Sequence, residues 1–113
     1  MNKRIGWIGV DLDGTLAEYD GWVGKHYIGP PIKPMVDRVK AWLLAGQDVR
    51  IFTARVHDKD VSVLRPIQNW CIEHIGVSLP VTNVKDFEMI ELWDDRAVEV
   101  VSNTGLPANP KRQ

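Results

Sequence analysis

The residues best suited to chemistry are two aspartates, Asp11 and Asp13, which stand one residue apart at the end of an apolar run. The length and β-branched content of that run, residues 5–10, predict a buried strand that ends at the following Asp-Gly step. Ligands of open α/β sheets bind beyond the carboxyl ends of the strands. Two carboxylates about 4 Å apart repel by roughly 4 kcal/mol at an effective dielectric near 20, unless a cation or proton lies between them. The alternative is a strand followed by an ordinary turn.

A second acidic pair, Asp94 and Asp95, ends another apolar run at residues 90–93. If both runs are parallel strands of one sheet, all four aspartates converge at one edge. Such a group is a poor structural device because its charges repel, whereas hard oxygen ligands suit Mg²⁺. The pattern therefore favours a magnesium site over a purely structural cluster.

A third run, residues 48–52, ends in Thr53, Ala54 and Arg55. As a further parallel strand, it would bring a hydroxyl and a guanidinium to the same edge as the carboxylates. Hydroxyl donors, cations and metal-binding acids together are typical of phosphate chemistry assisted by a metal. We therefore predict that this segment binds phosphate.

The motifs DLDGTL, FTAR, Lys85 and WDD, in that order, resemble those of the haloacid dehalogenase-like phosphohydrolase superfamily. The resemblance covers residues 5–105 and is closest to short members with little cap, including the phosphatase part of polynucleotide kinase-phosphatases, whose last motif also reads DDR. It implies a single Rossmann-like α/β domain over residues 1–113, with a mostly parallel sheet between helices and no separate cap domain. It also implies a phosphate monoester hydrolase that uses Mg²⁺ and an aspartyl-phosphate intermediate.

The resemblance assigns roles to the acidic residues. Asp11 would attack phosphorus, and Asp13 would act first as general acid and then as general base. Mg²⁺ would be bound by the Asp11 carboxylate, the Asp13 backbone carbonyl and Asp94, while Asp95 either binds the ion or orients the site.

By the same resemblance, Thr53 and Lys85 would bind the phosphoryl oxygens, with backbone amides of the first turn assisting. Lys85 follows the apolar residues 79–84 and occupies the place of the family's cation between the threonine and the last acids. Lys59 and Arg65 remain alternatives for that cation.

Residues 17–33 form a segment rich in glycine and aromatic side chains. Its glycines and its Gly-Pro-Pro step argue against a helix. We predict a flap, with a small hairpin as one form, that leans over the edge of the sheet. Trp22 or Tyr27 either faces the substrate and stacks on a base or ring, or packs down onto the surface.

Apolar residues at helical spacing predict a first helix that starts at Pro34 and is ended by Gly46. A second helix ends at Gly76, and it either begins near Pro66 or consists of two short helices that meet there. The remaining predicted elements are strands at residues 79–84 and 97–102 and a flexible tail at residues 103–113.

The 113 residues, 44% hydrophobic and 26% charged, are typical of one small globular domain. A net charge of −1 favours neither nucleic acid nor a membrane, although a local basic patch could exist. No apolar run is long enough to span a membrane, and a single cysteine excludes an internal disulfide, so we expect a cytoplasmic protein. An open, capless site would take a phosphorylated small molecule or a macromolecular end, or use a second subunit of a homo-oligomer as its lid.

Two other functional classes remain open. A phospho-acceptor module resembling a receiver domain would keep the aspartyl phosphate as a signal, but the acid at Asp13 favours turnover. A catalytically silent binding module could keep the same scaffold, although every motif position is filled. A dinucleotide site is excluded because Gly6 and Gly9 lie inside the first strand and no G-x-G-x-x-G follows it. Nucleotide, sugar phosphate, nucleic-acid end and phosphoprotein all remain candidate substrates.

Overall fold

One sheet of four parallel strands forms the centre of the structure, a computed structural model that describes residues 4–57 and 60–110. Its strands in chain order are β1 (Trp7–Val10), β2 (Asp48–Phe52), β3 (Val81–Thr82) and β4 (Met89–Trp93). The helices are α1 (Lys33–Leu44) and α2 (Leu64–His74). The spatial order of the strands is β3-β2-β1-β4, and every neighbouring pair is parallel. The predicted Rossmann-like α/β fold with a parallel sheet is confirmed, but within the described residues both helices lie on one face and do not enclose the sheet.

The main hydrophobic core lies between one face of the sheet and the two helices. Ile8 and Val10 of β1 and Val49 and Ile51 of β2 face this core and are almost fully buried. The connections β1 to β2 and β2 to β3 step in the same direction along the sheet, so right-handed crossovers place both helices on the same face. Neither helix in the described ranges is long and apolar enough to cross a membrane.

The opposite face of the sheet is covered by strand side chains and, within the described residues, by no helix. Trp7 is fully buried there, with the Arg50 guanidinium carbon 4.7 Å and the Phe52 ring 6.4 Å from its own ring. Its indole N–H donates to Asp86 at 2.9 Å. This face therefore has a small core of its own, centred on one tryptophan.

α1 presents one buried stripe at helical spacing, made of Met35, Val36, Val39 and Trp42. Pro34 lies in the first turn, where its missing N–H leaves no helical hydrogen bond unmade. Gly46 follows the helix with a φ of 82°, and its N–H donates to the Leu43 carbonyl at 3.0 Å. The predicted stop at Gly46 is confirmed, and the helix begins at Lys33, one residue before the predicted start at Pro34.

α2 begins two residues before Pro66, directly after a 3-10 turn at Val61–Val63. Pro66 therefore lies in the first turn of α2, where backbone N–H groups have no partner within the helix. Of the two predicted alternatives, a helix that begins near Pro66 is the one observed. Cys71 is fully buried, and burial raises the pKa of its thiol to about 11, which suits packing and not nucleophilic chemistry.

Two predicted strands differ from the structure. The strand predicted at residues 97–102 is absent, and the backbone there makes only an isolated bridge between Val100 and Pro107. A turn after β4, in which the Ala97 N–H lies 3.4 Å from the Asp94 carbonyl, precedes this segment, which then bonds to Leu106 and Ala108 instead of to the sheet. The strand predicted at residues 79–84 shortens to β3, an edge strand that pairs with β2 alone.

The flap, residues 17–33, is a loop of turns fastened at its base, and the hairpin suggested for it is absent. Its described backbone pairs only through isolated bridges at Ala17, and the Ile32 N–H donates to the Leu16 carbonyl at 2.8 Å. Trp70 of α2 donates its indole N–H to the Gly29 carbonyl at 2.9 Å. The flap is therefore attached to the helix layer as well as to the turn that follows β1.

Trp70→Phe should loosen this attachment. The substitution leaves the carbonyl of the buried Gly29 without its indole partner, so we expect the free energy of unfolding to fall by about 1–3 kcal/mol, measured by urea denaturation. Trp93→Phe is the matched control, because its indole N–H donates to the partly exposed Glu91 carboxylate, which water can reach. That control should lose clearly less stability. Equal losses would show that the bond to Gly29 contributes nothing particular.

Candidate functional site

Three strand ends carry polar residues to one edge of the sheet. Asp11 follows β1, Thr53 follows β2 and Asp94 follows β4. Because the strands are parallel, their carboxyl ends lie at the same edge. The Asp11 N–H donates to the Trp93 carbonyl at 2.8 Å, so the ladder between β1 and β4 continues up to the acidic residues. The structure thus brings these predicted residues together.

The turn after β1 is shaped by two buried leucines. Leu12 and Leu16 are fully buried, and the Leu12 carbonyl accepts the N–H groups of Leu16 at 3.0 Å and Ala17 at 2.9 Å. With Leu12 packed inward, its neighbours Asp11 and Asp13 line the cavity at the sheet edge. The apolar positions of the DLDGTL motif therefore determine where the two carboxylates lie.

Asp11, Asp94 and Asp95 form a carboxylate cluster in which one oxygen from each residue lies within 4.8 Å of the other two. Burial, the negative charge of Asp94 and a carboxyl–carboxyl hydrogen bond with Asp95 raise the pKa of Asp11 from near 3.8 to about 7. The cluster therefore favours the uptake of a proton or a cation. Its all-oxygen donor set fits Mg²⁺ or another hard divalent cation.

Thr15 is a site residue that the sequence analysis did not single out. Its hydroxyl oxygen lies 3.4 Å from Asp11 Oδ2 and 3.3 Å from Asp95 Oδ1, and it accepts the Asp95 N–H at 3.0 Å. Thr15 therefore links the turn after β1 to the acidic pair after β4. The sequence did contain a clue to this role, because Thr15 lies four residues after Asp11. A tight turn brings a residue at that spacing back to the Asp11 carboxylate.

Gly14 allows the two acidic segments to approach each other. Its φ is +91°, and an added Cβ would lie 2.6 Å from Asp95 Oδ2. The backbone conformation and the lack of space each favour glycine here. Gly14 and Thr15 therefore belong to the site, because they let the acidic segments after β1 and β4 approach and contact each other.

Asp13 lies apart from the cluster because its carboxylate faces Arg55. Arg55 Nε donates to Asp13 Oδ2 at 2.7 Å, and Nη2 donates to Oδ1 at 2.8 Å. The Arg55 side chain is only 5% exposed, so this two-point ion pair is shielded from water. The guanidinium predicted to bind phosphate is thus already engaged by an acidic residue of the site, and metal binding through the Asp13 carbonyl stays a prediction.

Thr53 and Ala54 line the cavity beside the carboxylate cluster. Thr53 is buried, and its Oγ1 accepts the Arg55 N–H at 3.2 Å, which caps the 3-10 turn Ala54–Val56. A hydroxyl that accepts through its oxygen can still donate its own proton to a ligand. The arrangement leaves the predicted phosphate contact of Thr53 chemically feasible.

Lys85 lies outside this cavity. It is exposed on the loop between β3 and β4 and is not among the residues that line the cavity. Of its alternatives, Arg65 lines a different cavity beside α2, and Lys59 falls outside the described residues. The cations of the described chain that line the cavity are Lys25, Arg55 and Arg96.

The cavity has a volume of about 740 Å³ and extends well beyond the carboxylates. Besides the carboxylates, it is lined by aromatic and polar side chains from the end of β2 and from several loops, namely Tyr19, Trp22, Phe52, His57, Asn83 and Arg96. A volume of this size suits a ligand larger than inorganic phosphate. The flap supplies one wall of the cavity, as its position in the chain predicts.

Comparison with known proteins supports the fold. No protein-family model and no curated protein matches the chain. The solved structure of a conserved protein from Bacteroides thetaiotaomicron is similar, with a TM-score of 0.64 and 21% sequence identity. The match covers 84% of this chain and 79% of that protein. At this level of identity, the similarity shows a shared fold alone.

Gly14→Ala should weaken the binding of divalent cations. The added methyl group would press on the Asp95 carboxylate, so we expect Mg²⁺ affinity, measured by calorimetry, to fall about 10- to 100-fold. Gly76→Ala is the matched control, because Gly76 has a φ of +105° but no atom within 4 Å of an added Cβ. It introduces similar backbone strain and should leave Mg²⁺ affinity unchanged. Unchanged affinity in Gly14→Ala would argue against a role for Asp95 in cation binding.

Asp11 should make the metal-free protein less stable as the pH rises. Its pKa is near 3.8 when unfolded and about 7 when folded, so its contribution to stability is full below about pH 4 and is lost as the pH rises through 7. We therefore expect that, in chelator, the free energy of unfolding of Asp11→Asn rises relative to that of the wild type between about pH 5 and pH 8. Urea denaturation at a series of pH values measures this difference.

Asp86→Asn is the control for this pH experiment. The Trp7 indole N–H lowers the pKa of Asp86, so the contribution of Asp86 is present above about pH 4 and is lost below it. Its stability difference from the wild type should stay level between about pH 5 and pH 8. A level difference for Asp11→Asn as well would contradict the raised pKa of Asp11.

Proposed function

We propose that this protein is a Mg²⁺-dependent phosphate monoester hydrolase of the haloacid dehalogenase-like type, acting through an aspartyl phosphate on Asp11. The observation that carries the proposal is the carboxylate cluster of Asp11, Asp94 and Asp95 beyond the carboxyl ends of parallel strands. The hydroxyl of Thr53 in the same cavity and the order of the sequence motifs support it.

The proposed reaction divides between the two aspartates of the first turn. An oxygen of Asp11 forms a bond to phosphorus while the bond from phosphorus to the leaving oxygen breaks. Asp13 must enter this step as the carboxylic acid: it donates its proton to the leaving oxygen and then takes one from the water that attacks the aspartyl phosphate. Inorganic phosphate is released, Asp11 returns to the carboxylate form, and Asp13 returns to the carboxylic acid form. The Thr53 hydroxyl would hold a phosphoryl oxygen throughout.

The donor set of the carboxylate cluster fits the proposed cation. Asp11 and Asp94 would hold Mg²⁺, with Asp95 as a further ligand or as an orienting group. When bound, the cation would offset the negative charge that otherwise opposes the approach of a carboxylate to a phosphate. Thr15 and Gly14 keep the two acidic segments close enough for this.

The leaving group would lie in the outer part of the cavity, between the flap and Arg96. Arg96 belongs to the DDR motif that resembles the phosphatase part of polynucleotide kinase-phosphatases. We therefore propose a nucleotide or a nucleic-acid phosphate end as the first substrate class to test. A panel of phosphate monoesters with Mg²⁺, including oligonucleotides phosphorylated at either end, separates this class from sugar phosphates and phosphoproteins.

Turnover of p-nitrophenyl phosphate should require Mg²⁺ and cease in chelator, and Ca²⁺ should inhibit it because Ca²⁺ takes more ligands at longer distances. Asp11→Asn should abolish turnover because it removes the nucleophile. Asp94→Asn should lose activity in part and regain some of it at high Mg²⁺, because it weakens a metal ligand only. Phosphate release measured against metal concentration distinguishes the two variants.

Two results would contradict the proposal. Full activity of the wild type in chelator would exclude the metal, and near wild-type turnover by Asp11→Asn would exclude the covalent route. A phosphoryl group that forms on Asp11 but persists for hours would instead favour a phospho-acceptor module. Circular dichroism of each variant checks that a loss of activity does not reflect unfolding.

A further inference from the structure

Arg55 joins Asp13 to the flap through four hydrogen bonds. Its Nε and Nη2 donate to the two Asp13 oxygens at 2.7 and 2.8 Å. Nη2 also donates to the Tyr27 carbonyl at 2.9 Å, and Nη1 donates to the Lys25 carbonyl at 3.2 Å. The planar guanidinium is therefore held in one orientation by a carboxylate on one side and by flap carbonyls on the other.

Trp22 of the flap covers the same guanidinium. The centre of its ring lies 5.0 Å from Arg55 Cζ, a cation–π arrangement, while 60% of the tryptophan surface stays exposed. One ring face of Trp22 is thus packed on the protein, which is one of the two roles expected for it. The flap, Arg55 and Asp13 form one connected unit.

We propose, on the basis of the function proposed above, that Arg55 is a positioning residue for Asp13 and that the flap supports it in this role. A carboxylate has about four lone-pair sites, and the two bonds from Arg55 leave others free. The Asp13 side chain is 19% exposed, so it can still reach a leaving oxygen or a water molecule in the cavity. The guanidinium determines the direction in which those free lone pairs point.

Positioning and direct phosphate binding by Arg55 affect different steps of the proposed reaction. A phosphate-binding residue would contribute to substrate binding and to formation of the aspartyl phosphate. With p-nitrophenyl phosphate the leaving group departs as a stable anion and needs little help from an acid. The attacking water still needs a base, so a misplaced Asp13 slows hydrolysis of the aspartyl phosphate specifically.

The decisive variant is Arg55→Lys, which keeps the charge but cannot contact both Asp13 oxygens and both flap carbonyls at once. With p-nitrophenyl phosphate and Mg²⁺ we expect kcat to fall about 10- to 100-fold and KM to change less than about threefold. The fraction of phosphoprotein trapped by acid during turnover should rise. In an Asp13→Asn background, Arg55→Lys should lower kcat further by less than about threefold, because both substitutions disrupt the same interaction between Arg55 and Asp13.

Arg50→Lys is the matched control. Arg50 also lies over a tryptophan ring, 4.7 Å from that of Trp7, and pairs with Asp48 at 3.0 Å, but it does not line the cavity. Its substitution should leave kcat, KM and the phosphoprotein fraction near wild-type values. This control therefore separates the general effect of losing an arginine, an ion pair or a cation–π contact from the specific effect of misplacing Asp13.

Trp22→Leu provides a second test that does not depend on replacing a buried arginine. Because Trp22 is largely exposed, its replacement leaves the core intact, and it decides the question if Arg55→Lys fails to fold. We expect a smaller fall in kcat, again with more trapped phosphoprotein, and no fall in the Asp13→Asn background.

The outcomes separate this inference from the proposed function. Three results would each overturn the positioning role while the wild type remains a phosphatase. They are a raised KM with less trapped phosphoprotein, fully multiplicative losses of kcat in the double variant, and an unchanged kcat in Arg55→Lys. Absence of turnover and of phosphoprotein in the wild type would overturn the proposed function and, with it, the inference that rests on it.

Discussion

Electrostatic repulsion within the carboxylate cluster is the constraint around which this structure is arranged. Asp11, Asp94 and Asp95 place oxygens within 4.8 Å of one another, and burial together with the negative charge of Asp94 raises the pKa of Asp11 to about 7. Without a cation, such a cluster opposes folding at neutral pH. Burial of Leu12 and Leu16 beneath the first turn provides the opposing free energy, because moving Asp11 away would expose apolar surface.

The first turn keeps its two aspartates in different environments. Asp11 belongs to the carboxylate cluster, whereas Asp13 is paired with the guanidinium of Arg55. This pairing removes one negative charge from the neighbourhood of the cluster and links the turn to the flap through Arg55. The two proposed chemical roles, nucleophile and proton carrier, therefore coincide with two separate electrostatic environments only two residues apart.

The parts of the fold that could be predicted from sequence depend on local residue types. Alternating apolar runs and helical spacing identify β1, β2, β4 and both helices, and Pro34 and Gly46 limit α1 through their own backbone preferences. Parallel strands then require that Asp11, Thr53 and Asp94 meet at one edge. The apolar run at residues 97–102 has the same local pattern, but its backbone bonds to residues 106–108 instead of joining the sheet.

The sequence by itself determined the α/β pattern and the acidic strand ends, since both follow from periodicity and residue type. Only the tertiary structure decided which side chains become partners, because such contacts depend on strand order and on the paths of irregular loops. Arg55 pairs with Asp13 across 42 residues, and Thr15 contacts Asp95 across 80. Lys85 has the expected place in the chain, but its loop leaves it exposed outside the cavity, since order along a sequence does not define position in space.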